Sequence, residues 1–176
     1  MADTDQVLKG IERLPNVHYA VLVPNQRGLE NLLALLEVHR PSSRGPPFTD
    51  EISVFTAATD SFCQRNLNCS VAESLDKLEI VTRTALDKGL RVRGYVSVVV
   101  ACPFEGRTDF KRVRDVTKKL LDMGCYEVSL GDTVGQGRPH EVAEMIEEVK
   151  KVVPVEKLAA SFASLKFFRI ILIWPM

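Results

Sequence analysis

Gly131-Asp132-Thr133-Val134-Gly135 follows directly on the run Glu127-Val128-Ser129-Leu130. In a parallel α/β protein the C-terminal ends of strands face the mouth of the site, where Asp132 and Thr133 can hydrogen-bond a polar ligand. The same pentapeptide also reads as an Asx-turn that closes the strand, and the residues alone leave both readings open. Arg93-Gly94-Tyr95-Val96-Ser97 sets an Arg and a Tyr inside an apolar strand. A period of two puts Arg93, Tyr95 and Ser97 on one face. In a barrel that face is the lumen, where a guanidinium can hold a carboxylate; on an edge strand it is a solvated polar surface. Gln64-Arg65-Asn66-Leu67-Asn68-Cys69 falls in a link between a strand and a helix, so Asn66 is either a ligand contact or a turn residue.

Other chemistry is sparse. His18, His39 and His140 are scattered and form no metal set with nearby carboxylates. Cys63, Cys69, Cys102 and Cys125 have no zinc-like spacing and are expected as buried, reduced side chains. Lys+Arg and Asp+Glu both number 23, so no basic excess points to nucleic acid or an anionic membrane. The apolar stretch at residues 167–174 is short of the roughly 20 residues of a membrane span, and Arg169 interrupts it. The first residues carry neither a signal h-region nor an Arg-rich targeting segment.

The elements that must position these residues alternate between β-rich runs and amphipathic helices. Val7, Leu8, Ile11 and Leu14 share a helix face; a strand at residues 17–23 is closed by Pro24; Asn25 then caps a helix with Leu29, Leu32, Leu33 and Leu36. A strand follows at residues 51–56. Ser70-Val71-Ala72-Glu73 is a capping box opening a helix with Leu75, Leu78, Thr82, Ala85 and Leu86, stopped at Gly89. The next strand spans residues 90–100. A helix with Phe110, Val113, Val116 and Leu120 leads to a strand at residues 126–130, and Pro139 opens a helix with Val142, Met145, Ile146 and Val149. A fifth strand begins near Leu158. This rhythm implies an α/β fold of parallel strands with right-handed crossovers. A doubly wound sheet and an incomplete (β/α)8 TIM barrel of four to five units with open edges both fit. The absence of a Gly-rich loop after the first strand weakens the dinucleotide-binding version.

In order, several strings resemble the 3-hydroxy-3-methylglutaryl-CoA lyases, TIM-barrel relatives of isopropylmalate and homocitrate synthases. They are Asp5-Gln6-Val7-Leu8-Lys9-Gly10-Ile11, Tyr19-Ala20-Val21-Leu22-Val23-Pro24-Asn25 and Asn66-Leu67-Asn68-Cys69-Ser70. Val92-Arg93-Gly94-Tyr95-Val96-Ser97, Cys102-Pro103-Phe104-Glu105-Gly106 and the stretch from Met123 to Thr133 complete the set. The resemblance implies a carbon–carbon lyase that cleaves an acyl-CoA, hydroxymethylglutaryl-CoA, to acetyl-CoA and acetoacetate in leucine breakdown and ketone-body formation. It further implies a homodimer for full-length members, a mitochondrial location, and a divalent cation, Mg²⁺ or Mn²⁺, that polarises the substrate. On that footing Arg93 and Asp132 are expected to be catalytic, and Asn66, Tyr95, Ser129 and Thr133 to bind substrate from lumen positions.

The departures from the family pattern bear on the metal. The Arg-Asp pair of the family's first strand falls ahead of Met1. The His-x-His-Asp ligand motif expected after Leu158-Ala159-Ala160 is replaced by Ser161-Phe162-Ala163-Ser164, and later ligands fall past Met176. The metal ligands are therefore expected to be missing, as in a truncated or alternatively spliced form that is inactive alone. Residues 1–160 would be a partial barrel, 37–50 an inserted loop and 161–176 an aberrant apolar tail. The alternatives are a non-catalytic interaction product of the same locus and an acyl-CoA condensing synthase.

Overall fold

Six helices and seven strands are described in the structure, a computed structural model covering residues 4–14, 16–38 and 48–162. Most of the expected inserted loop and nearly all of the apolar tail lie outside the described residues, as does His39. In chain order the elements are α1 (Thr4–Gly10), β1 (Val21–Leu22), α2 (Gln26–Val38), β2 (Glu51–Ala57), α3 (Asp60–Leu67) and α4 (Val71–Asp87). There follow β3 (Arg91–Ser97), β4 (Ala101–Cys102), β5 (Gly106–Arg107), α5 (Phe110–Asp122), β6 (Glu127–Asp132), α6 (Pro139–Lys150) and β7 (Leu158–Phe162). A 3-10 turn at Val155–Lys157 leads into β7.

The helix starts follow local chemistry. Ser70 Oγ accepts from the Glu73 N–H at 3.2 Å while Glu73 Oε2 accepts from the Ser70 N–H at 2.8 Å, closing the capping box at the head of α4. Asp109 caps α5 by accepting from the Lys111 N–H at 2.9 Å.

The main sheet has five parallel strands in the order β1-β2-β3-β6-β7. This order decides between the two expected architectures. A doubly wound sheet reverses its strand order at a switch point and carries helices on both faces. Here each main-sheet strand lies beside its predecessor, and the apolar core forms on one face, as in a (β/α)8 barrel opened along its length. Ile52, Val54, Val92, Val96, Val128 and Leu130 pack there with Leu78 and Val81 of α4, Val113 and Leu120 of α5, and Met145 and Val149 of α6. Each such fully buried aliphatic side chain contributes about 1.5–3 kcal/mol. Gly94 is required by this packing, because a Cβ there would lie 3.2 Å from both Leu120 Cδ1 and Val128 Cγ2.

Three boundaries differ from expectation. The first strand narrows to Val21–Leu22, where the ladder to Ile52 and Ser53 is made. The third strand stops at Ser97 because Val98 takes a left-handed backbone, φ 55°, which breaks the ladder. Residues 101–107 then form the antiparallel hairpin β4–β5. Residues 64–67, expected in a link, belong to α3, which ends at Asn68 in the left-handed conformation, φ 52°.

Candidate functional site

The face of the sheet opposite the helices carries the polar residues. Burial along β3 alternates strictly, with Val92, Gly94 and Val96 buried and Arg91, Arg93, Tyr95 and Ser97 half-buried. Register then fixes the neighbours of each. Arg93 stands between Ser53 and Glu127; Tyr95 stands between Phe55 and Ser129; Ser129 has Ala159 on its other side. Arg93, Tyr95 and Ser129 are thus brought together on one face, as a lumen requires.

Arg93 is held from two sides. Its Nη2 lies 2.5 Å from Glu127 Oε1, and its guanidinium carbon lies 5.4 Å from the centre of the Tyr95 ring. The Nε of Arg93 is buried and has no acceptor among the described residues. In the sequence Glu127 merely opens the run before Gly131; its pairing with Arg93 depends on strand register, which no local signal reveals.

A second charged group lies at the N-terminal end of the same face. Glu51 is buried, accepts from the Tyr126 hydroxyl at 3.0 Å and has Arg91 Nη1 3.8 Å away. The Arg91 guanidinium stacks 4.3 Å over the Tyr126 ring. Burial, and then the Glu51 carboxylate, push the Tyr126 phenol up to about 12.

Asp132 and Thr133 do not join the Arg93 group. Asp132 shares the parity of Val128 and Leu130 and is buried; its carboxylate accepts from the N–H of Gly137 at 2.7 Å and of Gln136 at 3.3 Å. The physical reason is that the turn after β6 leaves backbone donors that need an acceptor. A Cβ on Gly137 would lie 2.9 Å from Asp132 Oδ2, so the close approach uses the glycine. Thr133 Oγ1 accepts from the Val98 N–H at 2.9 Å. Asn66 sits on the exposed side of α3 with its amide donating to the Phe62 carbonyl at 2.9 Å. Asp132 thus closes the loop after β6 through donors four and five residues on, and Asn66 stands within the helix α3 and not in a turn.

Cys102 lies where the β4–β5 hairpin meets the segment after β2. Burial alone would raise its thiol, but hydrogen bonds from Ser61 and Thr59 and from the backbone at Phe104 and Glu105 outweigh that and hold it below the ordinary value. Thr59 Oγ1 donates to its sulfur at 3.2 Å. A cleft of about 240 Å³ lies elsewhere, between β1 and α2, lined by Val21, Leu22, Pro24, Leu32 and Leu35.

The described residues do not fit the divalent cation implied by the resemblance. Among the described residues no group of three or more His, Cys, Asp or Glu side chains could hold a metal ion. Glu127, Asp132 and Glu51 are each engaged as described above. At the end of β7, Ser161 and Phe162 offer one weak oxygen donor between them. Among the described residues no helix is long and apolar enough to cross a membrane.

A family model described as HMGL-like matches residues 47–163. A mitochondrial hydroxymethylglutaryl-CoA lyase of Bos taurus is 43% identical over 159 residues, covering 90% of this chain and 45% of that protein. A cytoplasmic 3-hydroxy-3-methylglutaryl-CoA lyase of Homo sapiens is 43% identical, with 90% of this chain and 40% of that protein covered. The crystal structure of the HMG-CoA lyase from Brucella melitensis superposes with a TM-score of 0.83 at 41% identity, over 92% of this chain and 53% of the other. The chain thus spans about half the length of the proteins it resembles. Those relatives divide between two compartments, so the resemblance does not by itself assign one.

Proposed function

The chain belongs to the HMGL-like family, and on that premise we propose that it carries the acyl-CoA-binding part of a carbon–carbon lyase site, centred on Arg93. The observation that carries this reading is the buried Arg93 Nε with no acceptor among the described residues. A buried cationic donor left unmatched is costly, and a ligand oxygen beside it removes the cost. The group that suits it is a thioester carbonyl, whose oxygen gains negative charge as an enolate forms. Glu127 occupies Nη2 and sets the guanidinium plane, while Tyr95 supports that plane and Ser129 offers a hydroxyl beside the ring. Asp132 and Thr133 act by holding the loops after β6 and β3 in place. Asn66 contributes to substrate only by exchanging its bond to Phe62 for one to the ligand.

Cleavage of hydroxymethylglutaryl-CoA to acetyl-CoA and acetoacetate is proposed as the activity of the complete barrel. The cation of that reaction, Mg²⁺ or Mn²⁺, and the homodimer of full-length members belong to the same proposal. A second reading, a non-catalytic product of the lyase lineage, is favoured by one observation: Glu51, Glu127 and Asp132 are each held by protein partners, and the described residues form no metal set. Mitochondrial residence is the location proposed with the lyase reading, and fractionation of cells expressing the chain tests it.

Equilibrium binding of acetyl-CoA tests the central reading. Arg93→Gln is expected to weaken binding about tenfold or more, the scale of one charge-assisted hydrogen bond. Unchanged affinity in a folded Arg93→Gln protein would overturn it.

A further inference from the structure

The cleft between β1 and α2 lies at one end of the sheet. β1 is an end strand in the order β1-β2-β3-β6-β7, so one edge of its backbone has no strand beside it among the described residues. Buried Leu32 and Leu35 of α2 line the cleft together with Leu22 and Pro24, and its volume is about 240 Å³. Thr4 brings α1 to its border. Leu22 is 41% exposed, and Val7, Leu14 and Val17, on the chain that leads into β1, are each about half exposed. An end strand flanked by exposed apolar side chains marks a docking surface. β7, the other end strand, offers Ala159, Ala160 and Ser161, which are too small to build a comparable wall.

The chain itself supplies an occupant of matching chemistry. Residues 163–176 lie outside the described residues, follow directly on β7 and include Phe167-Phe168-Arg169-Ile170-Ile171-Leu172-Ile173-Trp174. Because β1 and β7 belong to one parallel sheet, Phe162 at the end of β7 and Pro24 after β1 lie on the same rim. Extended chain advances about 3.3–3.6 Å per residue, so the steps from Phe162 to Phe167 cover about 17 Å. Four strand spacings separate β7 from β1, about 19 Å along the sheet, and the straight line across an opened barrel is shorter. We infer that residues 167–174 dock in the cleft of their own chain as a strand antiparallel to β1. A period of two then puts Phe168, Ile170, Leu172 and Trp174 on one face and Arg169 on the other. Along β1, Val21 and Val23 are buried in the core beside α2 while Leu22 is exposed. The uninterrupted apolar face of the segment thus meets Leu32 and Leu35, and Arg169 joins the polar face of the sheet. The inference is independent of the acyl-CoA reading.

Trp174 is the only tryptophan in the sequence, so its fluorescence reports on this segment alone. In the folded wild-type chain its emission is expected to be blue-shifted and shielded from acrylamide. Leu22→Lys, at an exposed position of the cleft, and Ile170→Asp, in the docking face, are each expected to shift the emission to the red and raise quenching several-fold, with the circular dichroism spectrum unchanged. A dansyl group on Asn31→Cys, attached selectively because Cys63, Cys69, Cys102 and Cys125 are buried, is expected to receive energy from Trp174. Where Leu22→Lys disturbs folding, the label at position 31 decides. The emission of a solvent-exposed indole in the folded wild-type chain overturns the inference. So does a shielded Trp174 that ignores Leu22→Lys and transfers no energy to the label, the signature of pairing with β7 instead. Shielding and transfer confined to a dimer, as light scattering reports, overturn it in favour of docking on a second copy.

Discussion

Thr133 Oγ1 accepts the Val98 N–H at 2.9 Å, tying the turn after β6 to the residue at which β3 stops. Val98 is a fully buried β-branched residue with φ 55°, a conformation such residues rarely adopt and one that costs on the order of 1–3 kcal/mol. Its carbonyl is held from the other side by the Thr108 hydroxyl at 2.7 Å. Two threonine hydroxyls therefore maintain the bend that releases the β4–β5 hairpin from the sheet.

Thr133→Val keeps the shape of the side chain and removes the acceptor, leaving the Val98 N–H unmatched. It is expected to destabilise the chain by about 1–3 kcal/mol, whereas Thr133→Ser stays near wild type. Urea unfolding of the two variants measures the difference, and equal midpoints would show that the bend does not depend on this hydroxyl.

Gly94→Ala places a methyl group 3.2 Å from Leu120 and Val128 in the layer between β3 and α5. A loss of about 1–3 kcal/mol is expected from overpacking. Gly10→Ala, where nothing lies within 4 Å of the added atom, is the control and should change little. The contrast is read by thermal unfolding.

Tyr126 gives an alkaline signature. Its phenol is pushed up to about 12 by burial and by Glu51. The folded chain therefore retains this proton where the unfolded chain releases it near 10. The stabilisation is complete below about 10 and declines as pH rises toward about 12. Absorbance titration should show a late phenolate component that Tyr126→Phe removes; a Tyr126→Phe curve that superposes on wild type would count against the Glu51 contact.

At the acid end, backbone and side-chain hydrogen bonds from Ser70 hold the Glu73 carboxyl below its ordinary value of 4.5. The capping contribution is present above the unfolded value and is lost as pH falls through the lower folded one. Ser70→Ala should accordingly lower stability at neutral pH and flatten its acid dependence. A wild-type slope in that variant argues against the capping box as its source.

With hydroxymethylglutaryl-CoA and Mg²⁺ or Mn²⁺, the isolated chain is expected to release no acetoacetate above background. Robust cation-dependent release would refute the reading that this chain lacks the metal-holding set.

Local sequence chemistry determined much of this protein. Ser70 and Glu73 announce a helix start because a capping box needs only four consecutive residues, and the strict alternation of Arg93 and Tyr95 with Val92 and Val96 separates two faces through backbone pleat alone. The ordered strings shared with the lyases made the family legible. Tertiary structure decided what these signals leave open. The progressive strand order chose the barrel over the doubly wound sheet, since local pattern carries no information about which strands become neighbours. Register paired Glu127 with Arg93, and turn donors at Gln136 and Gly137 drew the Asp132 carboxylate away from the Arg93 group. A side chain's type states which bonds it can make; the backbone that folds beside it determines which of them it does make.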